Sequence, residues 1–152
     1  DDNSKILFLC SPNNPTGNLF SKKIIEELLS SFEGIIVIDE AYIDFTEKES
    51  WITRIDEFPN LIITQTLSKA YGMAGIRLGI CYASSEIIAV LNKIKPPYNV
   101  NELTQQRDVK RVLNQNKVQH EIEILLEERK KLLIKLKSIS FIEKKLIILS
   151  FP

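Results

Sequence analysis

Three short apolar runs constrain the fold of this chain more than any other feature of its sequence. They read KILFLC at residues 5–10, IIVI at residues 35–38 and LIITQ at residues 61–65. Strands with nearly continuous apolar sequence are typical of parallel sheets that are covered on both faces. Because the runs lie roughly 25–30 residues apart, which is the spacing of a βαβ unit, we predict an α/β fold with a mostly parallel sheet.

Helical segments separate these strands. Ser21 is placed to cap a helix that runs to about Phe32, because the apolar residues between them repeat on one face. Residues 51–58 form a weaker helical segment. The run RLGICYA at residues 77–83 predicts a fourth strand, and the helix after it runs to about Lys95.

The remainder of the chain is helical. Two prolines at 96 and 97 end the α/β part, and residues 100–136 keep a helical period with a break predicted at residues 114–116. The charges at residues 127–131 are typical of a solvated helix surface. The lone histidine, His120, lies in a polar helical stretch, so we predict that it is exposed and is not a catalytic base.

The composition is that of a soluble globular protein. Of the 152 residues, 44% are hydrophobic and 26% are charged, and 20 basic side chains balance 20 acidic ones. This balance gives no support to nucleic acid or to an anionic membrane as a partner. No apolar stretch is long enough to span a bilayer. Cys10 and Cys81 lie in apolar runs, which predicts that both are buried and unpaired, as expected in a reducing cytoplasm.

A polar motif follows each of the first three strands. These motifs are SPNNPTG at residues 11–17, DEAY at residues 39–42 and TLSK at residues 66–69. Ligands of open α/β sheets bind outside the carboxyl ends of the strands, so we expect the motifs to share one edge. Each motif also has a simpler interpretation. Asn, Pro and Gly are ordinary turn residues, adjacent carboxylates can bind a metal ion or cap a helix, and a lysine or arginine can lie on the surface.

Lys69 is the residue with the most distinctive chemistry. A lysine in a dry site loses its proton easily and forms a Schiff base with a carbonyl. Thr66 and Ser68 precede it and Arg77 follows it, and hydroxyls with a guanidinium suit a phosphate. A carbonyl and a phosphate on one small molecule suggest pyridoxal 5′-phosphate (PLP). An aspartate for the pyridine nitrogen, and a phenol and an amide for the phenolic oxygen, occur in the other two motifs.

Together the motifs resemble a known enzyme family. SPNNPTG, IVIDEAYIDF, TLSKAYGMAGIRLG and IKPPYNVNELTQ are similar to the fold-type I PLP-dependent aminotransferases, and the second and fourth motifs are closest to the histidinol-phosphate branch. The resemblance covers residues 6–139 and implies the three-layer α/β/α fold of these enzymes. Related aminotransferases often carry a cis peptide bond in the first motif, so we predict one at Asn14-Pro15.

The resemblance also implies a role for each candidate residue. It assigns Lys69 to the Schiff base with PLP and to proton transfer, and Asp39 to the pyridine nitrogen. These two residues and Tyr42 are the predicted catalytic set. The remaining predicted contacts go to the phenolic oxygen, from Asn14 and Tyr42, and to the phosphate, from Thr66, Ser68 and Arg77.

A reaction and partners follow from the same resemblance. We expect an amino group to be exchanged between histidinol phosphate and 2-oxoglutarate, in histidine biosynthesis, by a cytoplasmic homodimer. The same scaffold also serves aromatic aminotransferases and threonine-phosphate decarboxylases, and non-catalytic PLP-binding regulatory domains form a further alternative. The substrate loops and carboxylate-binding arginine of the family would discriminate among these functions.

The family pattern further predicts how the chain divides. Residues 1–97 correspond to part of the PLP-binding large domain, and residues 98–152 to its helical remainder and the start of the small domain. The family's glycine-rich phosphate loop, ring-stacking aromatic residue and carboxylate-binding arginine have no counterpart in this sequence, as expected of a central fragment. Residues 145–152 (KLIILSFP) depart from the family pattern.

Overall fold

A four-stranded sheet forms the centre of the structure, which is a computed structural model that describes residues 3–139. Strands β1 (Ile6–Cys10), β2 (Ile35–Asp39) and β3 (Leu61–Thr66) are parallel neighbours, and β4 (Gly79–Ala83) pairs antiparallel with β3. The sheet is therefore mixed and mostly parallel, as predicted. The divergent stretch at the end of the sequence lies outside the described residues.

The fourth strand begins two residues later than the sequence predicts. A turn of 3₁₀ helix, Ala74–Ile76, precedes it, and Arg77 follows in the left-handed conformation with a φ of 57°. Left-handed backbone cannot continue an extended strand. Strand β4 therefore begins at Gly79, which lies opposite Thr66.

Helices separate and follow the strands. Helix α1 (Lys22–Ser31) begins at the predicted cap, where the Ser21 side chain accepts a hydrogen bond from the Ile24 N–H. The weak helical segment forms a 3₁₀ helix at Trp51–Glu57. Helix α2 (Ser85–Ile94) follows β4 and ends close to the predicted position.

The helical remainder consists of helices α3 (Glu102–Val112) and α4 (Gln115–Lys137), which confirms the break predicted between them. His120 is exposed on α4, as predicted. None of the helices within residues 3–139 has the length and apolar character needed to cross a membrane.

The two faces of the sheet differ, because side chains alternate along each strand. One face packs against Ile25 and Leu29 of α1 and against apolar residues of the 3₁₀ helix at Trp51–Glu57. Complete burial of an aliphatic side chain such as Ile25 stabilises the folded state by about 1.5–3 kcal/mol. The strand residues of this core are almost fully buried: Leu9, Ile36, Ile38, Leu61 and Ile63.

The opposite face is open along β1. Ile6 and Phe8 are 53% and 70% exposed there. The sheet register places Cys10 and Cys81 on the same face, and both are unpaired, as predicted, but exposed. The predicted burial of the cysteines is wrong, because a continuous apolar run does not reveal which of its alternating side chains face the core.

Candidate active site

The three polar motifs lie at one edge of the sheet. They follow β1, β2 and β3, which are parallel neighbours, so their carboxyl ends are side by side. The expected grouping of the motifs therefore follows directly from the observed strand order.

Asn14 and Tyr42 bring the first two motifs into contact. The Asn14 side-chain amide donates a hydrogen bond to the Tyr42 hydroxyl at 3.1 Å. The Asn14-Pro15 peptide is cis, as predicted, and so is Ser11-Pro12. Tyr42 is 6% exposed and directly precedes a 3₁₀ turn, Ile43–Phe45. An amide and a phenol thus meet at one point, as the phenolic oxygen of PLP would require.

Lys69 lies beside this pair. Its Nζ atom is 5.4 Å from the centroid of the Tyr42 ring. The next residue, Ala70, is buried against Val118 and Ile122 of α4, which anchors the backbone at the lysine. Lys69 itself is exposed. The described residues therefore place the lysine near the other groups but do not enclose it in the dry site that its proposed chemistry calls for.

Asp39 ends β2 and is half-buried, in register with Cys10 of β1 and Thr64 of β3. Its Oδ1 accepts a hydrogen bond from the Ala41 N–H at 3.0 Å. This bond orients the carboxylate and leaves Oδ2 for a donor such as a pyridinium N–H.

Thr66, Ser68 and Arg77 lie on two facing segments of chain. The Ser68 N–H donates to Thr66 Oγ1 at 3.1 Å. Thr66 pairs with Gly79, and the Leu67 N–H donates to the Leu78 carbonyl at 3.4 Å, so the segment that carries Arg77 runs beside Thr66. The Arg77 side chain is exposed and donates to the Ala74 carbonyl at 2.9 Å. These residues thus lie on neighbouring segments, and the guanidinium contacts the Ala74 carbonyl and not the two hydroxyls.

The chemistry of this donor set fits PLP. The amide and phenol stand next to the lysine, the aspartate is oriented at the same edge, and hydroxyls follow β3. A separate cavity of about 440 Å³ is lined by Glu40, Ser50 and Trp51, among others, and by none of the predicted cofactor residues. The converging polar groups therefore define the candidate site, and that cavity is not part of it.

Arg111 anchors the loop after Lys69, a contact that the sequence did not predict. Its Nε donates to the Tyr71 carbonyl at 2.8 Å, and its guanidinium also pairs with Glu121. The hydrogen bond from Arg111 lowers the pKa of Glu121. Burial raises the pKa of the Tyr71 phenol. Arg111 is one of several basic residues on α3, so nothing in the sequence distinguished it.

The sequence did not predict the surroundings of Glu40 either. It is 1% exposed and accepts hydrogen bonds from Ser50, Trp51 and Gln65. Within residues 3–139, no group of three His, Cys, Asp or Glu side chains is placed to hold a metal ion. The metal-binding alternative for the second motif therefore has no support in the described structure.

Comparison with known proteins places this chain in a family. A family model for aminotransferase class I and II matches residues 1–149. The chain belongs to that family. A histidinol-phosphate aminotransferase from Flavobacterium johnsoniae is 65% identical over 144 residues, which are 95% of this chain and 41% of that protein. The chain thus spans less than half the length of this curated relative.

Solved structures of related enzymes share the fold. The histidinol-phosphate aminotransferase from Clostridium acetobutylicum is 28% identical with a TM-score of 0.85, and the match covers 94% of this chain and 44% of that one. The enzyme of the same name from Sinorhizobium meliloti, solved in complex with pyridoxal-5′-phosphate, is 21% identical with a TM-score of 0.80. That match covers 89% of this chain and 38% of that one and supports the fold alone. The predicted α/β fold of the fold-type I enzymes is confirmed.

Proposed function

We propose that this chain is part of a PLP-dependent histidinol-phosphate aminotransferase. The observation that carries the proposal is the convergence of Lys69, Tyr42 and Asn14 in a family member that is 65% identical to such an enzyme. The proposal concerns a protein of the relatives' full length that contains residues 1–152, hereafter the full-length form.

The cofactor would be held by residues of this chain. PLP supplies an electron sink when it is bound. Lys69 supplies the amine that attaches it and a base that moves a proton, and Asp39 keeps a proton on the pyridine nitrogen through a charge-assisted hydrogen bond. Contacts to the phenolic oxygen would come from Asn14 and Tyr42, and contacts to the phosphate from Thr66, Ser68 and Arg77.

The proposed reaction moves an amino group from histidinol phosphate to 2-oxoglutarate. The test is a substrate panel with the purified full-length form, in which histidinol phosphate, aromatic amino acids and threonine phosphate are each supplied with PLP and 2-oxoglutarate. We expect glutamate to form fastest with histidinol phosphate. Faster reaction with an aromatic amino acid, release of carbon dioxide from threonine phosphate, or PLP binding without turnover would each contradict the proposal.

The proposal also extends to the domain division, the oligomeric state and the cellular location. We expect residues 1–97 to form part of the large domain and residues 98–152 to lead into the small domain. We also expect the full-length form to be a cytoplasmic homodimer, and its unpaired cysteines are compatible with a reducing compartment. Light scattering during size-exclusion chromatography tests the dimer, and cell fractionation tests the location.

A further inference from the structure

Glu40 lies next to the candidate site but faces away from it. It directly follows Asp39 at the end of β2, and its side chain is almost completely buried. Because side chains alternate along a strand, Asp39 and Glu40 face opposite sides of the sheet, and Glu40 faces the side covered by α1 and the 3₁₀ helix at Trp51–Glu57. On β3, Thr66 and Gln65 divide between the two sides in the same way.

Hydrogen bonds from neutral donors hold the Glu40 carboxylate. Its Oε1 accepts from the Trp51 N–H at 2.8 Å. Its Oε2 accepts from Gln65 Nε2 at 3.0 Å and from the Ser50 hydroxyl at 2.5 Å. Burying a carboxylate is costly unless such bonds satisfy it, and bonds to a charged acceptor are stronger than neutral ones. The cluster is therefore a specific and directional connection between separate elements.

The bond from Gln65 joins the ends of two neighbouring strands. The Glu40 N–H also donates to the Thr64 carbonyl at 2.9 Å, so the backbone ladder sets the spacing of these ends. We propose that Glu40 is a positioning residue that, through Gln65, fixes the relative orientation of the ends of β2 and β3. Asp39 stands immediately before Glu40, and Thr66 immediately after Gln65. This inference rests on the proposed cofactor site, where Asp39 and Thr66 hold opposite ends of PLP, so the relative orientation of the strand ends determines whether both can reach it.

Ser50 provides a matched control. Its hydroxyl donates to the same Oε2 as Gln65, but it belongs to the cap of the 3₁₀ helix at Trp51–Glu57 and accepts from the Ile52 N–H at 3.1 Å. Ser50→Ala and Gln65→Met each remove one donor from Glu40. Only Gln65→Met removes the side-chain link between the two strands, because methionine keeps the approximate size of glutamine without its amide.

The test measures PLP affinity and amide hydrogen exchange in the full-length form. We expect Gln65→Met to weaken PLP binding about tenfold, because part of the binding free energy is then used to order the strand ends, at a cost close to that of one hydrogen bond. It should also speed exchange at residues 39–42 and 65–68 in the cofactor-free protein. Ser50→Ala should keep the affinity within about twofold. Equal losses of affinity in both variants, or no loss in Gln65→Met, would overturn the proposal.

A reciprocal swap supplies a second test. Glu40→Gln should weaken PLP binding, and adding Gln65→Glu should recover most of the loss, because one amide and one carboxylate again face each other. Ser50 can then donate to the carboxylate at position 65, since its Oγ is already 3.5 Å from Gln65 Nε2. A double variant with restored melting temperature but unrecovered PLP affinity would refute the positioning role. If Glu40→Gln fails to fold, the comparison of Gln65→Met with Ser50→Ala decides.

These measurements separate this inference from the proposed function. Amide exchange requires no PLP, and PLP binding requires no histidinol phosphate. A full-length form that responds to Gln65→Met as expected but does not transaminate histidinol phosphate would refute the proposed reaction and support the role of Glu40. An active enzyme whose PLP affinity is unchanged by Gln65→Met would refute the role of Glu40 alone.

Discussion

Adjacent carboxylates at the end of β2 have different surroundings. Asp39 accepts a hydrogen bond from the Ala41 N–H and is half-buried on one side of the sheet, whereas Glu40 is buried on the other side and held by three donors. Asp39 therefore keeps one carboxylate oxygen for a ligand, whereas both carboxylate oxygens of Glu40 already accept hydrogen bonds. Alternation along a strand thus allows one pair of neighbouring residues to serve both a binding site and its support.

We expect Asp39→Asn to separate turnover from cofactor binding. The amide cannot stabilise a protonated pyridine nitrogen, so turnover of the full-length form should fall at least about 100-fold, as when other groups that stabilise charge during a reaction are removed. PLP affinity should fall less than about tenfold, because the other contacts remain. Steady-state kinetics and PLP titration measure the two effects. Asp56→Asn, at an exposed position, is the control, and turnover near that of the wild type in Asp39→Asn would exclude the electron-sink role.

At the scale of elements, helices α3 and α4 support the loop that carries Lys69. Ala70 packs on Val118 and Ile122, and Arg111 holds the Tyr71 carbonyl. The loop is therefore attached to the helices through both apolar packing and a charge-assisted hydrogen bond. Its position should depend on Arg111 more than on other basic residues of α3.

Replacing Arg111 should loosen the loop that carries Lys69. Arg111→Met should remove the bond to the Tyr71 carbonyl and the pair with Glu121. Amide hydrogen exchange at residues 70–73 of the full-length form should then become about tenfold faster, as expected if a local bond worth about 1.4 kcal/mol is lost. Arg107→Met, at an exposed position on the same helix, should leave exchange unchanged. Equal exchange in both variants would show that Arg111 does not hold the loop.

Local signals in the sequence predicted most elements but not their relations. Apolar runs located β1, β2 and β3, and Ser21 marked the start of α1, because burial and capping are local properties. The antiparallel direction of β4 was not predicted, because a strand pattern carries no direction. The exposure of Cys10 was missed for a related reason, since side-chain alternation is hidden in a continuous apolar run.

In the candidate site too, local signals located the residues but not all of the contacts between them. The residues that follow the strands were found, because each motif has its own residue types and its expected edge. The bond between Asn14 and Tyr42 joins two of these motifs, as the shared edge suggested. The bonds of Glu40 to Ser50 and Gln65 were not predicted, because neither Ser50 nor Gln65 belongs to a motif.

The molecule as a whole has incompletely covered surfaces. β1 and β4 are the outer strands of the sheet, and Ile6 and Phe8 are exposed on the open face. Outer strands and exposed apolar surface favour association with other chains. The chain also spans only 41% of the length of its Flavobacterium johnsoniae relative. Groups that this relative places outside the matched segment are therefore not supplied by residues 1–152.

We expect residues 1–152 expressed alone to aggregate and to lack aminotransferase activity. Light scattering during size-exclusion chromatography measures the first property, and glutamate formation from histidinol phosphate and 2-oxoglutarate measures the second. The full-length form is the control under the same conditions. A soluble monomer of residues 1–152 with turnover near that of the full-length form would contradict both expectations.

Mapping the residue that PLP modifies covalently shows whether Lys69 attaches the cofactor. The full-length form is incubated with PLP, reduced with borohydride, digested and examined by mass spectrometry, with Lys69→Ala as the matched variant. We predict that the reduced adduct lies on Lys69, that Lys69→Ala carries none, and that this variant loses turnover by at least about 100-fold. An adduct on another lysine of the wild-type protein, or none at all, would show that Lys69 does not attach the cofactor.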